Sequence, residues 1–190
     1  MPNSLEGKTI AILATDGVEQ IELMEPRKAL QEAGAIAEVV SPANRKLKGW
    51  DTEDWGKEID VDVPLEEADA SRYDALLLPG GVMNPDKLRM NPNAVKFARS
   101  FFDQAKPVAA ICHGPWMLVE TGAVKGRTVT SWPSLKTDIE NAGGTWVDEE
   151  VVTSNGVVTS RNPHDIPAFN RAMIQLFSQG TMGKNERKAA

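Results

Sequence analysis

Pro107-Val108-Ala109-Ala110-Ile111-Cys112-His113-Gly114-Pro115 decides how the rest of the chain is read. Residues 108–111 form an uninterrupted apolar run, which predicts a short strand buried on both faces of a sheet. Gly114 and Pro115 then open a helix over 114–120, closed by Gly122. A buried strand that runs straight into one polar residue, followed at once by a turn and a helix, is the pattern of a nucleophile elbow. The turn pushes the side chain at its apex out beyond the sheet edge. Here the apex is Cys112, the one cysteine of 190 residues. It faces the free amides at a helix start, and these favour thiolate over thiol, so its pKa is expected to be lowered. Gly114 leaves room for a substrate or a neighbouring backbone. Adjacent residues of a helical turn point about 100° apart, which argues against a direct bond from His113 to its neighbour's sulfur.

Working outward, further apolar runs alternate with segments of helical period. Residues 8–14, 36–41 and 73–78 read as strands, and 21–33 as a helix stopped by Gly34. Asn91 and Pro92 cap a helix whose apolar face is Ala94, Ala98, Phe101, Phe102 and Ala105. Ser134 is read as the cap of another, carrying Leu135, Ile139 and Ala142. Asn155-Gly156 between Val/Thr-rich runs predicts a hairpin. Ile166, Phe169, Met173, Leu176 and Phe177 predict a last helix, with Asp165 as its cap. The polar segment 45–63 reads as a short β excursion. Strands separated by helices predict an α/β sandwich around a mainly parallel sheet. Chemistry in such folds collects beyond the carboxyl ends of the strands, which selects the loops 15–20 and 80–90 and the junction at Cys112. Pro79-Gly80-Gly81 can turn a backbone N–H toward an oxyanion. Glu19, in the first of these loops, lies on the same edge.

Composition narrows the partners. Twenty-seven acids against 21 bases leave a formal charge of −6, a poor match for nucleic acid or anionic lipid. No apolar run is long enough to cross a bilayer, and the first residues have no secretory pattern. The expectation is a cytoplasmic protein of one domain over 1–190, with a flexible polar tail over 180–190 that holds the basic cluster 184–188. One thiol and two histidines are too few for a structural zinc site, so neither metal nor cofactor is expected. The five tryptophans read mostly as filler.

The segment 109–115 resembles the nucleophile motif of the PfpI-like intracellular proteases and protein deglycases. Glu19-Gln20-Ile21-Glu22-Leu23 is similar to that family's first loop, and Leu78-Pro79-Gly80-Gly81 to its glycine pair. Residues 91–98, 126–128, 141–148 and 159–161 match in order and spacing, so the similarity spans about residues 8–178. The resemblance implies a flavodoxin-like sandwich and a homo-oligomer, at least a dimer and up to a hexamer. It implies that Cys112 is the nucleophile, His113 its base, and Glu19 a hydrogen-bond partner of the sulfur. Gly80, Gly81 and Gly114 would shape the oxyanion and substrate site, with the Gly81 and His113 amides as donors. In family hexamers a neighbouring subunit's acid orients the histidine; the matching position holds Asp86, one methylene shorter than the usual glutamate. The implied activity is stress-related thiolate attack on a small carbonyl compound or a peptide. The alternative is a stress-response redox sensor using oxidation of Cys112. A Cys112–His164–Asp165 triad resembling the glutamine amidotransferases is weakened by Ile166 in place of the expected acid. A flavodoxin-type electron carrier is disfavoured by the acidic first loop 15–19.

Overall fold

The computed structural model describes residues 4–180. In chain order its strands and helices are β1 (Thr9–Leu13), β2 (Val18–Glu19), α1 (Gln20–Glu32), β3 (Ile36–Ser41), β4 (Lys46–Asp51), β5 (Asp54–Asp60), β6 (Val63–Pro64) and β7 (Ala75–Leu78). There follow α2 (Met83–Arg89), α3 (Pro92–Asp103), β8 (Val108–Ile111), α4 (Trp116–Glu120), β9 (Thr128–Val129) and α5 (Lys136–Asn141). The last are β10 (Thr145–Trp146), β11 (Val151–Ser154), β12 (Val157–Ser160) and α6 (Ile166–Gln179).

The central sheet runs β11-β12-β8-β7-β1-β3-β6. Every pairing is parallel except β11 with β12, the hairpin whose turn puts Asn155 and Gly156 at φ 45° and 76°. Its middle, β3-β1-β7-β8-β12, has the flavodoxin-like strand order. Because side chains alternate across a strand, Ile10, Ile12, Leu77 and Ile111 pack under α1 and α6. Ala11, Leu13, Leu76 and Leu78 pack instead under α3, α4 and α5. The result is three layers, as expected. In α3 the Asn91 side chain accepts from Asn93 N–H and Ala94 N–H, and Pro92 fills the first turn.

Two capping expectations are corrected. Ser134 lies inside a 3-10 turn, Pro133–Leu135, and caps nothing. Asp165 makes no cap either; its carboxylate takes the Arg161 guanidinium at 2.9 and 3.1 Å and the Arg161 N–H at 3.0 Å. A bidentate charged partner outcompetes a neutral amide. Within the 45–63 excursion, residues 46–60 form an antiparallel β4–β5 hairpin joined to β2, apart from the central sheet, and Val63 begins β6 at that sheet's edge. The short parallel pair β9–β10 was not foreseen. Among the described residues, no helix is long and apolar enough to cross a membrane. The tail expected beyond Gly180 lies outside the described residues.

Candidate active site

Cys112 follows β8 at φ 62°, in the left-handed region that a side chain enters at a cost of about 1–3 kcal/mol. The backbone is held there from three directions. Cys112 N–H donates to Ser160 O at 3.0 Å, Trp132 N–H donates to Cys112 O at 2.9 Å, and Gly114 N–H donates back to Ile111 O at 2.8 Å. This conformation breaks the helical 100° rule at the very step where it was applied. His113 therefore does reach its neighbour, with Nδ1 at 3.2 Å from the sulfur, contrary to expectation. The His113 ring stacks on Trp132 at 5.8 Å and tilts against Trp116 at 5.2 Å. Burial lowers its pKa to about 4, so it is neutral at physiological pH.

The carboxyl beside the sulfur belongs to Glu22, not Glu19. Glu22 is wholly buried, accepts from Gly80 N–H at 2.9 Å, and lies within hydrogen-bond reach of Cys112. Burial is the main reason its pKa is pushed up to about 8, with the Glu19 charge adding to the rise. Glu19 sits one turn earlier, as the residue preceding α1, and only lines the cavity. Burial, then repulsion by Glu22, pushes the Cys112 thiol up rather than down; the Gly81 and His113 amides act against this. The expected lowering fails because α4 starts at Trp116, beyond the sulfur, and because desolvation exceeds what two amides return.

These groups form the floor of a cavity of about 770 Å³ at the carboxyl ends of β1, β7, β8 and β12. Trp50, Met83 and Trp132 line its sides, with Pro163 and His164 at the far rim. Among the described residues no group of His, Cys, Asp and Glu is arranged to hold a metal.

A model described as the DJ-1/PfpI family matches residues 8–176. The chain belongs to the DJ-1/PfpI family. Two Bacillus subtilis members are each 42% identical to it: General stress protein 18, over 91% of this chain and 99% of that protein, and YraA, over 90% and 98%. The name of YraA gives it provisionally as a cysteine protease. Deglycase PfpI of Pyrococcus furiosus is 39% identical over 88% of this chain and 98% of that protein. A solved two-domain protein of Anabaena variabilis, with DJ-1/ThiJ/PfpI-like and ferritin-like domains, superposes with a TM-score of 0.83 at 37% identity. That match covers 88% of this chain and 47% of that one.

Within this DJ-1/PfpI chain, Cys112, His113, Glu19 and Gly81 all line the one cavity. Gly80 and Gly114 do not, and their amides are spent on Glu22 and Ile111. Gly114 is required for packing instead, since a Cβ there would collide with the Leu78 carbonyl. Asp86 is exposed on α2 and does not line its own chain's cavity. His164 is an exposed rim residue with no contact to Cys112, and Asp165 is occupied by Arg161, so no amidotransferase-like triad forms. Trp50 and Trp132 were read as filler and are cavity walls. Glu22 was missed as a site residue, although a signal existed. It falls four residues before Pro26 and eight before Leu30, on the buried face of α1, where an acid without a task is costly.

Proposed function

We propose that this chain is a cofactor-independent cysteine hydrolase or lyase that attacks carbonyl carbon, acting as a deglycase of dicarbonyl adducts or as a peptidase. The observation that carries the reading is the floor of the cavity. A cysteine in a left-handed elbow has His113 Nδ1 at 3.2 Å and two backbone amides on its sulfur. Neutral His113 takes the Cys112 thiol proton, and the thiolate so formed adds to the carbonyl carbon, the displaced electron pair moving to oxygen. Glu22, protonated at neutral pH, can surrender a proton to that oxygen, and the proton held by His113 can pass to the departing group during collapse of the adduct. The names of the relatives, deglycase and cysteine protease, support the same class of chemistry. The compartment we assign is the cytoplasm, and the working form a homo-oligomer. There, Asp86 of one copy would orient His113 of another; measuring activity and oligomer mass of Asp86→Ala together tests that assignment.

The principal test is Cys112→Ser, assayed on methylglyoxal, on glycated N-acetylated amino acids and on peptides. Activity should fall to background with the fold intact, because a serine hydroxyl stays protonated. Retained turnover would remove Cys112 as the nucleophile. One observation also favours the redox reading. Glu22 offers a proton beside a sulfur already ringed by amide donors, a setting that would hold a sulfinate oxygen. Peroxide treatment followed by intact mass separates the two, since a sensor oxidises readily and turns nothing over.

A further inference from the structure

Gln20, the first residue of α1, sends its side chain across the β4–β5 hairpin. The pairing of the two strands slips there. Lys48 faces Glu58 and Trp50 faces Trp55, so one residue of β4, Gly49, stands opposite two of β5, Gly56 and Lys57. Such a bulge leaves a strand group unpaired and bends the strand. Here the Gln20 amide carbonyl, Oε1, accepts the Lys57 N–H at 2.6 Å. Both glycines make room for it. A Cβ at Gly56 would collide with Gln20 Oε1, and one at Gly49 would lie 3.1 Å from Gln20 Cβ. Neither glycine has a positive φ, so close approach, not backbone conformation, is what glycine serves at both positions.

Trp50 stands next to that bulge. β4 is held on its other side by β2, whereas β5 is the edge of its three-stranded sheet and pairs with β4 alone among the described residues. The Trp50 indole N–H donates to Thr52 O at 3.0 Å, and the ring packs edge-on against Trp55 at 5.5 Å. The ring is thus fixed to the hairpin tip, and Gln20 fixes the tip to α1. A bulge sets the twist of what lies beyond it, which here is the Trp50–Trp55 pair. With Trp132, Met83 and Val82, Trp50 gives the cavity flat, apolar walls; among the described residues no Lys or Arg lines it.

We propose that Gln20 is a positioning residue: by filling the β5 bulge it fixes how Trp50 faces the cavity, and the site thereby selects carbonyl compounds that carry a flat, apolar group. Gln20 does not line the cavity, so it acts only through the ring. Without its amide carbonyl the Lys57 N–H turns to water, the bulge relaxes, and Trp50 no longer offers one fixed face. A contact between two aromatic groups is worth roughly two- to tenfold in affinity, and that is the selectivity Gln20 holds in place. The sulfur is left as it was, because the elbow takes its backbone bonds from Ser160 and Trp132 and none from the hairpin.

The substrate class rests on the proposed function, but the test needs no turnover. A protein that labels as expected and turns over no carbonyl compound would sink that function and leave the role of Gln20 standing. Two neutral probes with the same reacting end, iodoacetamide and N-(1-naphthyl)iodoacetamide, are compared on the full chain, where the single cysteine makes the readout unambiguous. Relative to their rates with a free thiol in solution, the wild type should favour the naphthyl probe. Gln20→Met keeps the length of the side chain and lacks the acceptor. It should lower that preference roughly two- to tenfold, with the iodoacetamide rate unchanged. Gln20→Glu retains an acceptor oxygen and should keep most of the preference. Gly56→Ala, which displaces the Gln20 amide from the other side, should match Gln20→Met, and the double variant should lose no more than either alone. A wild type without the preference, an unchanged preference in both single variants, additive losses, or an equal fall for both probes overturns the proposal. Gly56→Ala carries the test should Gln20→Met misfold.

Discussion

The floor of the cavity, where β7 and β8 end, commits its backbone groups to partners within the fold, whereas the β4–β5 hairpin at its outer wall leaves residues 51–55 exposed. At the floor, Gly80 offers its N–H to Glu22 and its carbonyl to Glu19 N–H, and the elbow residues are bonded to β12 and to the Trp132 segment. The hairpin is tied on by the parallel β2–β4 pairing and by bonds from loop and side-chain groups. Lys48 N–H donates to Asp16 at 2.7 Å, Gly17 N–H donates to Lys48 O at 2.8 Å, and Lys57 N–H donates to Gln20 at 2.6 Å. Two surfaces of one cavity thus obey different rules. The floor holds reacting groups through backbone geometry that few residue types satisfy. The wall holds Trp50 on a support that other side chains could share.

The sharpest way to break this contrast is Gly114→Ala. A Cβ at that position meets the Leu78 and Ile111 carbonyls, and backbone cannot yield as a side-chain tip can. We expect a loss of several kcal/mol, roughly 3 or more, read from denaturant midpoints. Near-normal stability would show that the floor relaxes more easily than its hydrogen bonds suggest.

Glu22→Gln tests the floor through pH. The Glu22 pKa is about 8 in the folded chain, against 4.5 for the free group. The folded state thus binds the extra proton between those values, and wild-type stability falls as pH rises through that window. The neutral amide has no such slope. The variant should therefore match the wild type near pH 5 and exceed it by a few kcal/mol, at most about 4, near pH 8. Parallel stability curves would mean that Glu22 is ionised throughout.

Trp50→Ala should have the smallest effect. The ring is half-buried and packs edge-on against Trp55 at 5.5 Å. A cost of about 1 kcal/mol is expected, with KM raised and the alkylation rate of Cys112 unchanged. A collapse in alkylation would mean that wall and floor are one unit.

What the sequence made legible follows the same division. The strands were readable because apolar runs such as 75–78 and 108–111 leave few alternatives, and the elbow because a strand, a cysteine and a glycine stand in unbroken succession. The hairpin was readable only as an excursion, and its Trp50 not as a wall, because long-range docking decides where an exposed hairpin lies. The choice between Glu19 and Glu22 depended on helix phase. Starting α1 at Gln20 turns Glu22 inward beneath Gly80 and leaves Glu19 at the rim. The His113 contact was misjudged because the helical angle between neighbours does not apply to a residue at φ 62°. Nor could sequence spacing report how deeply the thiol is desolvated, which reverses the sign of its shift.

The left-handed backbone at Cys112 also bears on how such a chain could change over time. Glycine would occupy that conformation with no steric cost, so on stability alone the position is open to it. Deleting the thiol would therefore relieve backbone strain while giving up the contacts of a buried side chain, with whatever the sulfur does set against it. Were that demand relaxed, this elbow is among the first places where drift should be visible, as a glycine in an otherwise unaltered turn.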